Sequence, residues 1–346
     1  MRVSYQRPAR MATASRQPPR RGAASLECTP AARDNRGVTR LYFILGCTAV
    51  GKGAVGRELA RRVGGQIVSV DSMKVYRRMD IGTAKPPPEV RAEIPHHCID
   101  LVEPAEGFSV AQYVAAADAA IATVTAAGAA PLAVGGTSLY IKALAEGLFA
   151  GPSADAAFRD ELKRRAGAEG LAALHAELAA VDAEAAARIH PNDQRRILRA
   201  LEVHRATGSA ISDLQKQWDS GQRRYDCVFI GLRRDQEDLN HRINTRVKRM
   251  IEAGLEREVA ALLAEPAGLS MQAAAAVGYA EIIAHLGGRM TREEAVERIK
   301  INTRHLAKKQ RTWHRRWQDV RWFDLSPDAV PEATAEEILR QVDFVL

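Results

Sequence analysis

The sequence lacks the features of a disulfide-stabilised, zinc-binding or membrane-spanning protein. Its 346 residues include only four cysteines, at positions 28, 47, 98 and 227, and none of them forms a C-x-x-C pair. Widely separated cysteines argue against a disulfide framework and against a zinc finger. The chain also has no run of 18 apolar residues, which a membrane-spanning helix would need, although 46% of its residues are hydrophobic. We therefore expect a soluble, cytoplasmic protein with a substantial core.

Residues 1–38 lack both apolar periodicity and, apart from Glu27 and Asp34, acidic side chains. They are rich in Arg, Ala, Ser and Pro but have no apolar segment like that of a secretory signal. Their composition resembles that of a transit peptide. We prefer the interpretation that they form a disordered basic tail, or an over-long start with Met11 as an alternative.

The segment Leu41–Gly53, LYFILGCTAVGKG, is typical of a phosphate-binding loop. An apolar strand pattern over residues 41–45 ends at Gly46, and Gly51-Lys52 follows at the spacing of G-x-x-x-x-G-K-[ST]. A buried strand, a glycine-rich turn and the start of a helix would place backbone N–H groups and one lysine around a phosphate. Gly53 stands where the motif has a Ser or Thr hydroxyl that holds Mg²⁺, which weakens the case for an ordinary ATPase.

Two further strand patterns end in polar or glycine-rich segments. Residues 66–70 lead into Asp71-Ser72, at the edge where α/β sheets bind their ligands. Asp71 is either a helix N-cap or a carboxylate that faces the ligand of the phosphate loop, and its spacing favours neither. Residues 132–134 lead into Gly135-Gly136-Thr137, which indicates either a close backbone approach to a ligand or a tight strand-to-helix turn.

Strands that alternate with helical patterns predict an α/β fold, namely a P-loop NTPase-like parallel sheet flanked by helices. Residues 151–215 are rich in Ala, Arg and Glu and show no strand signal, so they predict an all-helical insertion. The sheet core then comprises residues 39–150 and 216–346. The prolines at 86–88 predict a loop over residues 80–88.

Basic residues cluster in two places. Arg195, Arg196 and Arg199 fall within one helical turn and form either a solvated face or a ridge that contacts phosphates. Residues 298–317 carry eight Lys or Arg, no acidic residue, and Trp313 and Trp317 four positions apart. A basic helical stripe with aromatic residues favours a polyanionic partner, with which the net charge of +8 is compatible.

Seven segments together resemble the tRNA dimethylallyltransferases, also called tRNA isopentenyltransferases. The resemblance covers nearly the whole chain after Thr39 and rests on GCTAVGKG from Gly46, SVDSMKVYRRMDIGTAKP from Ser69, PHHCIDL from Pro95, VGGTSLYIKAL from Val134, RIHPNDQRRILRALEV from Arg188, VGYAEI from Val277 and TRHLAKKQRTW from Thr303. The family transfers a dimethylallyl group from its diphosphate to the exocyclic N6 amine of the adenine 3′-adjacent to the anticodon in tRNA, and diphosphate is released.

The resemblance implies a catalytic set and a diphosphate site. Asp71 is the candidate general base for the weakly nucleophilic adenine amine, and Thr48, Lys52 and Arg242 would meet the charge of the departing diphosphate. The diphosphate would be held by the whole loop, that is Gly46, Cys47, Thr48, Ala49, Val50, Gly51, Lys52 and Gly53.

The resemblance also implies contacts with tRNA. These fall on Asp71, Ser72, Met73, Lys74, Thr137, Arg159, Arg195, Arg196, Ile197, Leu198 and Arg199. Mg²⁺ is the expected cofactor; without a hydroxyl at residue 53 it would be held by diphosphate oxygens, water and a carboxylate such as Asp71. A monomer with no membrane partner is expected. The alternatives are a P-loop small-molecule or nucleoside kinase and a non-catalytic RNA-binding protein.

Overall fold

The computed structural model describes residues 39–148, 151, 155–216 and 221–344, so the expected tail over 1–38 lies outside the described part. The described residues form a six-stranded sheet in which every pairing is parallel, with the order β3-β2-β4-β1-β5-β6. The strands are β1 (Arg40–Leu45), β2 (Gln66–Val70), β3 (His96–His97), β4 (Pro131–Gly135), β5 (Asp226–Arg234) and β6 (Val320–Leu325). The predicted parallel sheet flanked by helices is confirmed.

Helices connect the strands and follow the sheet. None in the described part is long and apolar enough to cross a membrane. The helices that each follow one of the first four strands are α1 (Lys52–Val63), α2 (Pro88–Glu93), α3 (Val110–Ala126) and α4 (Ser138–Glu146). Between α4 and β5 lie α5 (Ala156–Ala168), α6 (Leu171–Val181), α7 (Ala183–Arg188), α8 (Gln194–Thr207) and α9 (Ile211–Gln215). After β5 come α10 (Gln236–Glu252), α11 (Leu255–Leu263), α12 (Met271–Ala274), α13 (Tyr279–Leu286) and α14 (Arg292–His314), and α15 (Pro331–Gln341) follows β6.

Strand β1 lies inside the sheet and contributes side chains to both of its faces. Tyr42 and Ile44 belong to one buried cluster, whereas Leu41, Phe43 and Leu45 belong to the cluster on the opposite face. Strands covered on both faces read as continuous apolar runs, because successive side chains point to opposite sides. This explains why residues 41–45 show no polar alternation and why the strand was visible in the sequence.

The helical segment α5–α9 has a buried cluster of its own. Phe158, Leu162 and Leu201 are among the side chains that form it. Asp182 ties its last helices together, because Oδ1 accepts from the backbone N–H of Ala185 at 2.8 Å and Oδ2 accepts from the N–H of Ser212 at 2.9 Å. After this segment the chain returns to the sheet, where β5 pairs with β1.

Two local expectations from the sequence were wrong. Pro88 does not belong to a loop but is the first residue of α2; proline is tolerated there because the first helical N–H has no partner within the helix anyway. The basic stripe does not remain helical to Trp317, since α14 ends at His314. Trp317 is only 8% exposed and packs into the core beside Phe229, so it is not available to stack on a base.

Gly135 should be required by the sheet. A Cβ atom at this position would lie 2.0 Å from the carbonyl oxygen of Val70 on the neighbouring strand. We expect Gly135→Ala to lower the free energy of unfolding by roughly 3 kcal/mol, the upper end of the cost of overpacking, and to lower the Tm accordingly.

Gly167→Ala is the matched control for this substitution. Gly167 is exposed within α5, and a Cβ there would meet nothing within 4 Å. Alanine is the better helix former, so the control should melt at or above the Tm of the unsubstituted protein. A Gly135→Ala variant that melts as the control does would contradict the steric argument.

Candidate active site

The phosphate loop follows β1 and is shaped by three residues with positive φ. Gly46 has φ 146°, Ala49 has φ 65° and Gly51 has φ 117°. Gly46 must lack a side chain, since a Cβ would lie 2.8 Å from the carbonyl oxygen of Leu232. Gly51 is the N-cap of α1 and offers no side-chain cap. The first N–H groups of the helix therefore remain available to an anion.

Not every residue of the loop can contribute a side chain to a ligand. Cys47 is 3% exposed and Val50 is fully buried, and both pack into the core that includes α1. With Gly46, whose side is closed by Leu232, they can serve the predicted diphosphate site only through the backbone. The side chains that remain in the pocket lining are those of Thr48, Ala49 and Lys52.

Lys52 is held inside the loop in a way that leaves its charge poorly compensated. Its Nζ donates to the carbonyl oxygen of Cys47 at 2.8 Å. The pKa of Lys52 is lowered to about 8, chiefly by burial; Arg246 and Lys74 also lower it, whereas Cys47 and Asp71 act in the opposite direction. An anion placed against this ammonium would restore the protonated form.

Two arginines of α10 reach the loop, and they stand four residues apart on one face of the helix. The Arg242 Nε donates to the carbonyl oxygen of Ala49 at 3.0 Å, and the Arg246 Nη1 donates to the Thr48 hydroxyl at 3.2 Å. Arg242, which the sequence indicated as the guanidinium of the site, fixes the loop backbone. Arg246 was not chosen from the sequence, although its spacing from Arg242 was the signal that could have identified it.

Asp71 is not a helix N-cap, because a turn and not a helix follows β2; its carboxylate lines the pocket beside the phosphate loop. Its Oδ1 accepts from the backbone N–H groups of Met73 at 2.9 Å and Lys74 at 3.4 Å, as a turn-capping carboxylate does. It also interacts with three cations, since it opposes the downward pKa shifts that burial imposes on Lys52, Lys74 and Arg246. The capping hydrogen bonds fix the carboxylate beside the phosphate loop.

Gln310 connects the phosphate loop to the end of β4. Its Oε1 accepts from the backbone N–H of Thr48 at 2.7 Å, and its Nε2 donates to the carbonyl oxygen of Gly136 at 2.8 Å. No local pattern marks this residue, because its partner Thr48 lies 262 positions away. The neighbouring Thr137 hydroxyl accepts from the N–H of Ser72 at 3.1 Å, which joins the ends of β4 and β2.

These elements enclose a pocket of about 1000 Å³. It brings together residues predicted to bind diphosphate and residues predicted to contact tRNA. The first group comprises Thr48, Ala49, Gly51, Lys52, Gly53 and Arg242; the second comprises Asp71, Ser72, Met73, Lys74 and Thr137. The remaining lining includes apolar side chains, among them Val277, Ile299 and Leu306.

The other residues predicted to contact tRNA lie in the helical insertion, away from the pocket lining. Arg195 and Arg196 are exposed on α8. Arg159 forms a two-point ion pair with Glu202, with both N···O distances 2.7 Å. Ile197 is fully buried and Leu198 is 5% exposed in the insertion's own core, so a side-chain contact of these two with tRNA is excluded.

The pocket suits a metal that arrives with its ligand. Among the described residues no cluster of three or more His, Cys, Asp or Glu side chains could hold an ion. Mg²⁺ is commonly bound by one or two carboxylates together with substrate phosphates, and Asp71 beside the phosphate loop offers such a carboxylate. Asp238 also lines the pocket, but it is paired with Arg234 at 2.8 Å.

Comparison with known proteins finds extensive similarity. A family model described as IPP transferase matches residues 74–317. The tRNA dimethylallyltransferase of Geobacter metallireducens is 46% identical over 286 residues, which make up 83% of this chain and 93% of that relative. The crystal structure of the full-length tRNA isopentenylpyrophosphate transferase from Bacillus halodurans is similar, with a TM-score of 0.64 at 40% identity. The match covers 87% of this chain and 95% of that protein's chain.

A more distant solved structure is that of a eukaryotic dimethylallyltransferase acting on tRNA. Its TM-score is 0.69 at 26% identity, and the match covers 83% of this chain and 74% of the other. The similarity therefore extends beyond the phosphate loop to both parts of the sheet core.

The lowered pKa of Lys52 makes a prediction about anion binding. Because the free protein has a pKa of about 8 at this site and a bound anion raises it, the complex holds more protons than the free protein above that pH. The affinity for inorganic diphosphate should therefore fall as the pH rises through 8, by up to about tenfold per pH unit. Calorimetric titration between pH 7 and pH 10 measures this.

Lys52→Arg is the control, because a guanidinium stays charged over the whole range. It also registers the titration of the diphosphate itself, which is common to both proteins. The difference between the two pH profiles should report Lys52 alone. Parallel profiles would show that Lys52 does not titrate on anion binding.

Proposed function

The chain belongs to the IPP transferase family, and from that premise we propose that it is a tRNA dimethylallyltransferase. It transfers a dimethylallyl group from dimethylallyl diphosphate to the exocyclic N6 amine of the adenine 3′-adjacent to the anticodon and releases diphosphate. The bond from the dimethylallyl carbon to the diphosphate oxygen breaks, the new C–N bond forms, and the amine loses one proton.

One observation carries the proposal: the Asp71 carboxylate lies in the same pocket as the phosphate loop and is fixed by two backbone N–H groups, whereas Asp238 in the same lining is paired with Arg234. A proton acceptor beside an anion cradle is what this transfer requires, because the amine must be deprotonated while the leaving group gains charge. The apolar side chains of the lining suit a five-carbon prenyl group, which offers no hydrogen bond.

The residues divide the chemistry between them. Asp71 takes the proton from the adenine amine, whose lone pair is delocalised into the ring. Lys52, Arg246 and the N–H groups at the start of α1 face the charge that develops on the departing diphosphate. Arg242 acts indirectly, since its hydrogen bond to Ala49 keeps the loop in shape. The target base must leave its stack to enter the pocket.

Mg²⁺ belongs to the proposal as a cofactor that neutralises diphosphate oxygens when bound. Asp71 is the residue of this chain best placed to contact it. The insertion completes the enzyme, with exposed Arg195 and Arg196 contacting tRNA phosphates. We propose that the enzyme acts as a monomer in the cytoplasm.

Asp71→Asn tests the reaction directly. The amide keeps the size and the capping position of the side chain but cannot accept the proton, so prenyl transfer should fall by roughly 10²- to 10⁴-fold. Binding of unmodified tRNA should persist. The measurement is the transfer of label from dimethylallyl diphosphate into tRNA, together with a binding titration on the same variant.

Asp213→Asn is the matched control, because Asp213 is exposed and, among the described residues, pairs with Lys216 at its end of the insertion. Labelled ATP in place of the prenyl donor distinguishes the rival functions. Label transferred from ATP would indicate a kinase, and tRNA binding with no transfer from either donor would indicate an RNA-binding protein. Full turnover by Asp71→Asn would remove this residue as the base.

Arg195→Ala should weaken tRNA binding without affecting diphosphate binding. One phosphate contact less should make the slope of log affinity against log salt concentration shallower by about one. Arg340→Ala on α15 removes an equally exposed arginine and should leave the slope unchanged. If both variants gave the same slope, Arg195 would not contact a tRNA phosphate, and the basic residues of α8 would form a solvated face.

A further inference from the structure

An arginine near the start of α1 lies beside Gly53, the position at which the phosphate-loop motif has a Ser or Thr. Arg57 follows Gly53 by four positions and therefore shares its helix face. Helical side chains lean towards the N-terminus of their helix, so Arg57 extends back over the glycine. Its Nη1 lies 3.4 Å from the place where a Cβ of residue 53 would be.

Glycine at position 53 adds no side chain to the space beside this guanidinium, where a Cβ atom would be in van der Waals contact with it. The usual motif has a Ser or Thr there, whose hydroxyl holds Mg²⁺ beside the phosphates. Here the space next to the helix start is occupied by a guanidinium instead, and Arg57 lines the pocket together with Lys52 and Gly53. Gly53 and Arg57 lie on successive turns of α1, on the same face of the helix.

The charge of the Arg57 guanidinium is incompletely compensated by the residues that the structure describes. Within the described residues no hydrogen bond or ion pair reaches it. Burial lowers the pKa of Arg57, Arg61 adds to the effect, and Glu93 opposes it. Arg57 in turn lowers the pKa of Lys74 and of His96, for both of which burial is the largest cause.

Such an arrangement is unfavourable without an anion. A cation near the positive end of a helix is repelled by the aligned peptide dipoles, and a half-buried charge loses part of its hydration. Both costs disappear when a phosphate group is placed between the guanidinium and the N–H groups of the helix start. Guanidinium groups can bind phosphate oxygens at two points.

We propose that Arg57 binds the diphosphate of the prenyl donor and takes the place of the missing hydroxyl at residue 53. The identity of the anion rests on the function proposed above; the anion site itself does not. The consequence is that the protein binds diphosphate without Mg²⁺ better than the same protein with the ordinary motif would.

The experiment is calorimetric titration of the full-length protein with inorganic diphosphate, once with Mg²⁺ and once with a chelator. The unsubstituted protein should keep measurable affinity in chelator. Arg57→Gln should bind roughly ten- to a hundredfold more weakly there, the effect expected for loss of hydrogen bonds between charged groups. The loss should be smaller when Mg²⁺ is present, because the ion shields the same oxygens.

Arg61→Gln is the matched control on the same helix. It removes an equal charge one turn further on, at an exposed residue that pairs with Glu58 and Glu93. It should bind diphosphate as the unsubstituted protein does. The double variant Gly53→Ser/Arg57→Leu rebuilds the ordinary motif, so its binding should become strongly dependent on Mg²⁺.

Two results would overturn the inference: unchanged affinity of Arg57→Gln in chelator, or an equal loss in Arg61→Gln. The double variant guards against misfolding, because restored binding in Mg²⁺ shows an intact site. Neither RNA nor a prenyl group takes part in this titration. Failure of prenyl transfer would therefore leave this inference standing, and failure here would leave the proposed reaction standing.

Discussion

The binding site depends on several partly or fully buried cations gathered near the Asp71 carboxylate. Lys52, Arg57, Lys74, Arg242 and Arg246 all line the pocket and all have a lowered pKa. Burial is the largest cause in each case. Asp71 opposes part of the shift in three of them. The free protein thus holds buried positive charge that an anionic ligand such as diphosphate would compensate.

The fold holds these charges in place through short hydrogen bonds to backbone groups. Arg242 binds the carbonyl oxygen of Ala49, Gln310 bridges Thr48 and Gly136, and Asp71 caps the turn that follows β2. The bonds of Arg242 and Gln310 join segments that are distant in the sequence, whereas the Asp71 cap is local. A cluster of like charges would otherwise push its own loop apart, so the same contacts that position the reactive groups also keep the pocket closed around them.

Features of the fold and the site could be predicted from the sequence when they depend on residues close together in the chain. Strand β1 was predictable from its own apolar run, and Asp71 from its place directly after the apolar run of β2, because each pattern is local in the chain. Arg246 was half visible, since helical spacing placed it beside Arg242 but could not say which of the two reaches Thr48. Gln310 could not be found, and neither could the burial of Trp317, Ile197 and Leu198, because these depend on packing between distant segments.

The position of β1 in the sheet has a consequence for synthesis of the chain. Its neighbours are β4, which precedes the insertion, and β5, which follows it. When the insertion has just emerged from the ribosome, β1 can pair with β4, but its other edge still lacks β5. At that stage α10 and Gln310 have not yet been synthesised. The nascent protein can fold its helical module early, but the reaction centre is assembled only when the last third of the polypeptide emerges.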